Sequence, residues 1–241
     1  MTRTPSPRPR RPRKGSPATR SHDPAPLLLA SGLTPAAAAD LLAPYGLTDL
    51  KLADANLQSM AGEPRTRRLL AKILGELLAL LAQTADPDQG LNHWERFLQA
   101  GLNRSQLLDY LGGNPRMLHL LCTIFGNSPS MAQTLIRDPL LVYWLSEEQV
   151  LTRRPSREML AASLRMMLAN VTAVELQLDA LRRFRRRETL RIGVRDLLKL
   201  ADVPESTAAL TDLACVLIQA AYEIADAWLS RQYGKPKHKD S

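Results

Sequence analysis

The feature that most constrains the fold is a recurrent punctuation in which a small polar residue is followed at once by proline. It occurs at Thr34-Pro35, Asp86-Pro87, Asn114-Pro115, Ser128-Pro129 and Asp138-Pro139. Thr, Asp, Asn and Ser satisfy the free N–H groups at a helix start. Proline is at home in the first turn, where its missing N–H costs nothing. Between these marks apolar residues recur at steps of three and four, and no segment alternates like a strand with turn residues on both sides. The pattern predicts an all-α bundle.

The punctuation sets the expected elements. One helix runs from Thr34 to about Ala43, where Pro44 and Gly46 stop it, and a second from Asp49 to about Gly62. A third opens at Pro64 and carries the stripe Leu69, Leu70, Ile73, Leu77, Leu78, Leu80 and Leu81. Others start at Asp86, Asn103, Asn114, Ser128 and Asp138. The second half changes scale. One long pattern runs from Pro155 through Met159 and Leu164 to Leu181, another element covers Leu190 to Leu200, and a last helix runs from about Pro204 to Tyr233. Short helices are therefore expected over 27–145 and a long-helix bundle over 155–234.

Charge separates tails from body. The net charge is +8, yet residues 1–20 hold seven basic groups and no acid, while the other 25 basic groups nearly cancel the 24 acids. Residues 1–26 also hold seven of the 17 prolines. Such a segment has little to bury and is expected to be a disordered basic tail, with 235–241 a frayed basic end. The basic balance thus marks a tail and not a nucleic-acid-binding body; weak contact with RNA or acidic partners is confined to residues 1–20. Two cysteines, Cys122 and Cys215, cannot form a disulfide framework or a zinc cluster and are expected as reduced core residues. No apolar run approaches the ~20 residues of a membrane span, and none near the start resembles a signal peptide. A cytoplasmic protein without a membrane partner is expected.

Candidate chemistry is sparse. Asp86-Pro87-Asp88 has the spacing of a Mg²⁺-holding carboxylate pair, but with a proline between and a helical pattern after it the segment reads as an N-cap with an acidic first turn. Gly112-Gly113 lacks a preceding strand and a Lys-Ser/Thr, and reads as a helix end. His22, His93, His119 and His238 have neither ligand nor triad spacing. No catalytic, cofactor-binding or metal residue is expected.

The densest charge lies in the run from Arg182 to Arg195. On a helix Arg183, Arg187 and Arg191 fall near one face, with Arg195 in line. Leu181, Phe184, Leu190 and Ile192 offer the apolar contacts, and Glu175, Asp179, Glu188 and Asp196 give local pairs. This face reads equally as solvated or as a dock for another domain or an acidic partner, and less readily as a nucleic-acid helix, since no aromatic platform accompanies it.

The motifs also carry a resemblance. The run from Asp86-Pro87-Asp88 to Glu95-Arg96-Phe97-Leu98 resembles a helix of the bifunctional glutamine synthetase adenylyltransferases. Asn103-Arg104-Ser105, Asn114-Pro115, Phe125-Gly126-Asn127-Ser128, Leu135-Ile136-Arg137-Asp138-Pro139 and Trp144-Leu145 continue it in order. The arginine run, Leu190-Arg191-Ile192-Gly193-Val194-Arg195-Asp196 and Ala201-Asp202-Val203-Pro204-Glu205 complete it, over roughly residues 50–235. The resemblance implies enzymes that add AMP to a tyrosine of glutamine synthetase and remove it. It implies ATP and Mg²⁺ for a nucleotidyltransferase domain marked by Gly-Lys-Leu-Gly-Gly and Asp-x-Asp, and this sequence matches neither motif. The expectation is a truncated or split N-terminal helical segment, by itself inactive, that scaffolds a separately encoded nucleotidyltransferase domain or docks glutamine synthetase through Arg183, Arg187 and Arg191. The alternatives are a stand-alone helical interaction module and a basic-tailed protein associated with nucleic acid.

Overall fold

Side-chain caps start many of the helices. Thr34, Asp49, Asp86, Asn103, Ser128, Ser156 and Asp202 each accept a hydrogen bond from the backbone N–H three residues on. Prolines occupy the first turn after Thr34, Asp86 and Ser128. At Asn114 the side chain instead donates from Nδ2 to Tyr110 O (2.7 Å), so it closes the preceding helix and Pro115 alone opens the next. These starts are found in a computed structural model that describes residues 23–101 and 103–235.

The elements are α1 (Pro26–Leu29), α2 (Pro35–Leu42), a 3₁₀ turn (Ala43–Tyr45), α3 (Leu50–Ala61), α4 (Pro64–Leu81), α5 (Pro87–Gln99) and α6 (Arg104–Gly112). They continue with α7 (Pro115–Asn127), α8 (Pro129–Arg137), α9 (Leu141–Leu145), α10 (Glu148–Thr152), α11 (Arg157–Leu168), α12 (Val174–Leu197) and α13 (Val203–Tyr233). Among the described residues there is no strand, and the fold is all-α.

The apolar interior has two parts. The larger lies around α4, whose Leu70, Leu74, Leu77 and Leu78 are fully buried among α3, α5, α6 and α7. Its densest point is an aromatic cluster. Trp94 stands edge-on to Phe125 at 5.1 Å between ring centroids, and Phe97 lies 5.3 Å from Phe125. Edge-on ring pairs add to what area burial alone supplies. The smaller core is formed by Leu160 and Leu164 of α11, Leu181, Phe184 and Ile192 of α12, and Leu213, Val216 and Ile224 of α13. Helix α12 joins them, because its Leu190 and Val194 belong to the larger core.

Several sequence expectations are corrected. The long pattern from Pro155 to Leu181 is two helices: the chain leaves the helix after Leu168 and re-enters at Val174. Asn170 and the β-branched Val171 and Thr172 disfavour helix there, and Gln177 Nε2 donates to Val171 O (2.8 Å), which fixes the turn. The separate element expected over Leu190–Leu200 does not exist, because α12 runs unbroken through the arginine run to Leu197. Helix α10 lies where no element was expected. The tail expected over 1–26 does not extend to 26: Pro24 is buried, near enough to Gly75 to touch a Cβ placed there (3.5 Å), and α1 starts at Pro26. Residues 1–22 and 236–241, with His22 and His238, lie outside the described residues. Cys122 is buried, and burial pushes its thiol up to about 12, but Cys215 is only half-buried. Finally, α13 is long and apolar enough to cross a membrane by length and composition, because Asp212 and Glu223 are too sparse to break it.

Helices α5 and α7 approach closely at Gly90 and Gly126. A Cβ on Gly90 would stand 2.7 Å from Leu81 Cδ2 and 3.2 Å from Gly126 Cα, and one on Gly126 would collide with the side chain of Thr84. Gly126→Ala is therefore expected to lower stability by about 1–3 kcal/mol, although alanine favours helix locally. The measurement is a urea titration, in which the midpoint falls at unchanged slope.

Candidate functional site: the arginine helix

The site is built on α12, which faces in three directions. Leu181, Phe184 and Ile192 point into the smaller core, and Leu190 and Val194 into the larger. The remaining arc carries the arginines. Within Arg182 to Arg195 the only acid is Glu188. It is buried, with 2% of its surface exposed.

Glu188 gathers two of the three arginines expected on one open face. Arg187 donates from Nε (3.1 Å) and Nη2 (2.9 Å) to Glu188 Oε1, and Arg191 pairs with Oε2 from the following turn. The Arg187 guanidinium also stacks over Trp144 of α9 at 5.2 Å and over Phe184 at 5.1 Å, and its Nη2 reaches Ser163 Oγ of α11 at 3.4 Å. Arg191 lies 5.9 Å from the Trp144 centroid. Stacking lets a guanidinium shed water while keeping an electrostatic partner. Burial pulls Arg191 below its ordinary pKa, and the charges of Arg187 and Arg195 push the same way, while Glu188 opposes them. Arg195 is buried as well; it donates to Leu151 O of α10 and pairs with Glu205 of α13 at 2.7 Å. The expectation that Arg187 and Arg191 are open is thus corrected, because a buried carboxylate one residue from Arg187 and three from Arg191 draws both inward. Arg183 remains exposed.

What stays outside is a different set. Arg182, Arg183 and Arg185 are exposed and Arg186 is half-buried. Arg182 pairs with Asp179 at 2.7 Å; Arg183, Arg185 and Arg186 make no ion pair among the described residues. At about 100° per residue these four fall on one outward arc in the N-terminal half of α12. Four guanidinium groups with a single acid partner make a positive surface suited to carboxylates or phosphates.

A second feature escaped the sequence reading. An open groove of about 630 Å³ runs between α11, α13 and the turn between α11 and α12, with apolar walls at Leu168, Val171, Val216 and Ile224. Cys215 lines it, which is why that residue is only half-buried. No local pattern announces this groove, since its two sides, α11 with the turn after it and α13, lie some fifty residues apart in sequence. The sequence places Glu188 among local ion pairs but not in the interior, and gives Trp144 no role.

Both carboxylates of Asp86-Pro87-Asp88 are engaged in local hydrogen bonds. Asp86 caps α5 by accepting from Gln89 N (2.9 Å). Asp88 accepts from Thr48 N and Oγ1 and from Asp49 N. Burial alone would raise Asp88, but these bonds hold it below its ordinary value. Among the described residues no three His, Cys, Asp or Glu side chains gather in a metal-holding group. His93 is a core residue bonded through Nδ1 to Phe125 O (2.9 Å). The described residues therefore do not fit an ATP–Mg²⁺ site.

Comparison with known proteins points one way. The sequence model of the glutamate-ammonia ligase adenylyltransferase family matches residues 118–241. A bifunctional glutamine synthetase adenylyltransferase/adenylyl-removing enzyme from Brucella suis is 32% identical over 171 residues, 71% of this chain and 17% of the relative. The enzyme of that name from Mesorhizobium japonicum is 34% identical over 169 residues, 70% of this chain and 17% of its own. The chain spans about 17% of the length of these curated relatives.

Glu188→Gln removes the charge that holds Arg187 and Arg191. Leaving two guanidinium groups partly buried and unpaired is expected to cost about 3–5 kcal/mol. Arg183→Gln, on the open side, is expected to change stability by no more than about 0.5 kcal/mol. Chemical denaturation of both variants checks the contrast; equal costs would remove Glu188 from its anchoring role.

Proposed function

Because the chain belongs to the glutamate-ammonia ligase adenylyltransferase family, we propose that it is a helical scaffold of such an enzyme. In this reading its folded part positions a nucleotidyltransferase unit and engages glutamine synthetase in the cytoplasm, while AMP transfer with ATP and Mg²⁺ occurs on residues other than those described. The observation that supports a docking role is the outward arc of Arg182, Arg183, Arg185 and Arg186, three of which have no acidic partner among the described residues. The docking face is thereby reduced from Arg183, Arg187 and Arg191 to Arg183 with its exposed neighbours. Arg187 and Arg191 become its internal support.

Long-range attraction between this arc and an acidic surface would speed encounter and weaken with salt. The test is association of the purified chain with glutamine synthetase, and separately with the nucleotidyltransferase domain of a relative, by sedimentation or surface resonance. Binding to one of them is expected, weakened at least about tenfold by combined Arg183→Gln, Arg185→Gln and Arg186→Gln, and weakened alike by added salt. Absence of binding to both, or binding indifferent to charge, overturns the docking role. In the presence of ATP, Mg²⁺ and glutamine synthetase no AMP transfer is expected from the chain. Turnover abolished by Asp86→Asn or Asp88→Asn would overturn the scaffold reading.

A further inference from the structure

Among the described residues, helix α13 leaves one face uncovered over its whole length. Its inner side, with Ala209, Leu213, Val216 and Ile224, is buried against α11 and α12. The opposite arc runs from Val203 to Tyr233 and carries Leu210, Ile218, Tyr222, Trp228 and Leu229 between them. Exposure is 73% at Val203, 70% at Ile218, 64% at Tyr222 and 74% at Tyr233. At about 100° per residue this arc is roughly 140° wide and about 46 Å long. It contains no charged residue: Glu205, Asp212, Glu223, Asp226 and Arg231 all lie off it. An uncharged apolar stripe of this size on a surface is an interaction site.

We propose that the occupant is a second copy of this chain, paired antiparallel through α13 about a twofold axis at Ile218. Two observations favour this partner. The first is self-complementarity, which a twofold interface requires. Ile218 is the midpoint of α13. Antiparallel pairing about it sets Ala214 opposite Tyr222, Thr207 opposite Leu229, Ala208 opposite Trp228 and Val203 opposite Tyr233. Tyr222, Leu229, Trp228 and Tyr233 thus each meet a smaller side chain, Ile218 meets its own copy, Leu210 falls opposite Asp226 at the edge of the stripe, and Ala214, Ala221 and Ala225 let the backbones approach. The second is area. Weighted by exposure, the seven large apolar side chains leave roughly 800 Å² open, the amount each partner contributes to a standard stable interface.

A membrane is the poorer occupant although α13 is long enough to span one. Insertion would strip Leu213, Val216 and Ile224 from the smaller core and draw Asp212 and Glu223 into hydrocarbon. The pairing needs neither change. It does not involve the arginine arc and meets the groove only at Trp228, so it stands or falls separately from the docking proposal.

The experiment is the oligomeric state of the full chain in analytical ultracentrifugation at micromolar concentration, with Ile218→Asp beside it. The expected result is a dimer that Ile218→Asp converts to a monomer with unchanged helicity, its melting temperature matching that of the wild type diluted to monomer, since that side chain stands in water in the single chain. Met166→Asp, an exposed position on α11, is expected to leave the dimer intact. In a Cys215→Ser background, cysteines at Val203 and Tyr233 placed in separate chains are expected to cross-link to each other, and neither to its own copy. A monomeric wild-type chain, a dimer that survives Ile218→Asp, a parallel cross-linking pattern, or co-flotation with lipid vesicles in place of dimerisation each overturns the proposal.

Discussion

A carboxylate with 2% of its surface in water sits at the joint between the two cores of this protein. Glu188 lies between Arg187 and Arg191, and both guanidinium groups lean on Trp144. A buried ion group of this kind adds little net stability when complete, because desolvation offsets attraction, but breaking it is costly. Its consequence is placement. Because the charges are matched inside, α12 continues as a helix through a run that would otherwise repel itself. Its two apolar sides then reach different cores. Arg195 repeats the device one turn on, tying α10 and the start of α13 to the same helix.

Function follows from how the arginines divide. Those within reach of Glu188 hold the fold, and those on the far side of α12 stay open to solvent. The same helix therefore serves as internal strut and external surface, and each half keeps its own chemistry. Asp86 and Asp88 are tied locally, Asp86 at the start of α5 and Asp88 to the loop at Thr48 and Asp49.

Much of the architecture was legible in the chain. Caps and prolines are local signals, and the helix starts at Asp86, Ser128 and Asp202 depend on a hydrogen bond only three residues long. The stripe of α4 was equally plain, because a helix buried on most sides repeats its leucines regardless of which neighbours cover them. The ordered motifs that resemble the adenylyltransferases sit on these same helices, so the family was readable for the same reason.

Non-local matters were not. Spacing of four placed Arg183, Arg187 and Arg191 on one face, but whether that face met water or Trp144 depended on α9, some forty residues earlier. The break at 169–173 competes with a good apolar period, and the local signal of Asn170, Val171 and Thr172 is too weak by itself to show that the chain turns there. The groove and the bare side of α13 have no local pattern, because a surface is defined by what fails to cover it. Sequence thus determined the all-α class, the side-chain-capped helix starts such as Thr34, Asp86 and Ser128, and the family, through interactions a few residues long; the starts of α9, α10 and α12 it did not. Tertiary structure alone decided which arginines are buried, which apolar faces are open and where one core ends and the other begins, because burial is a property of neighbours distant in the chain.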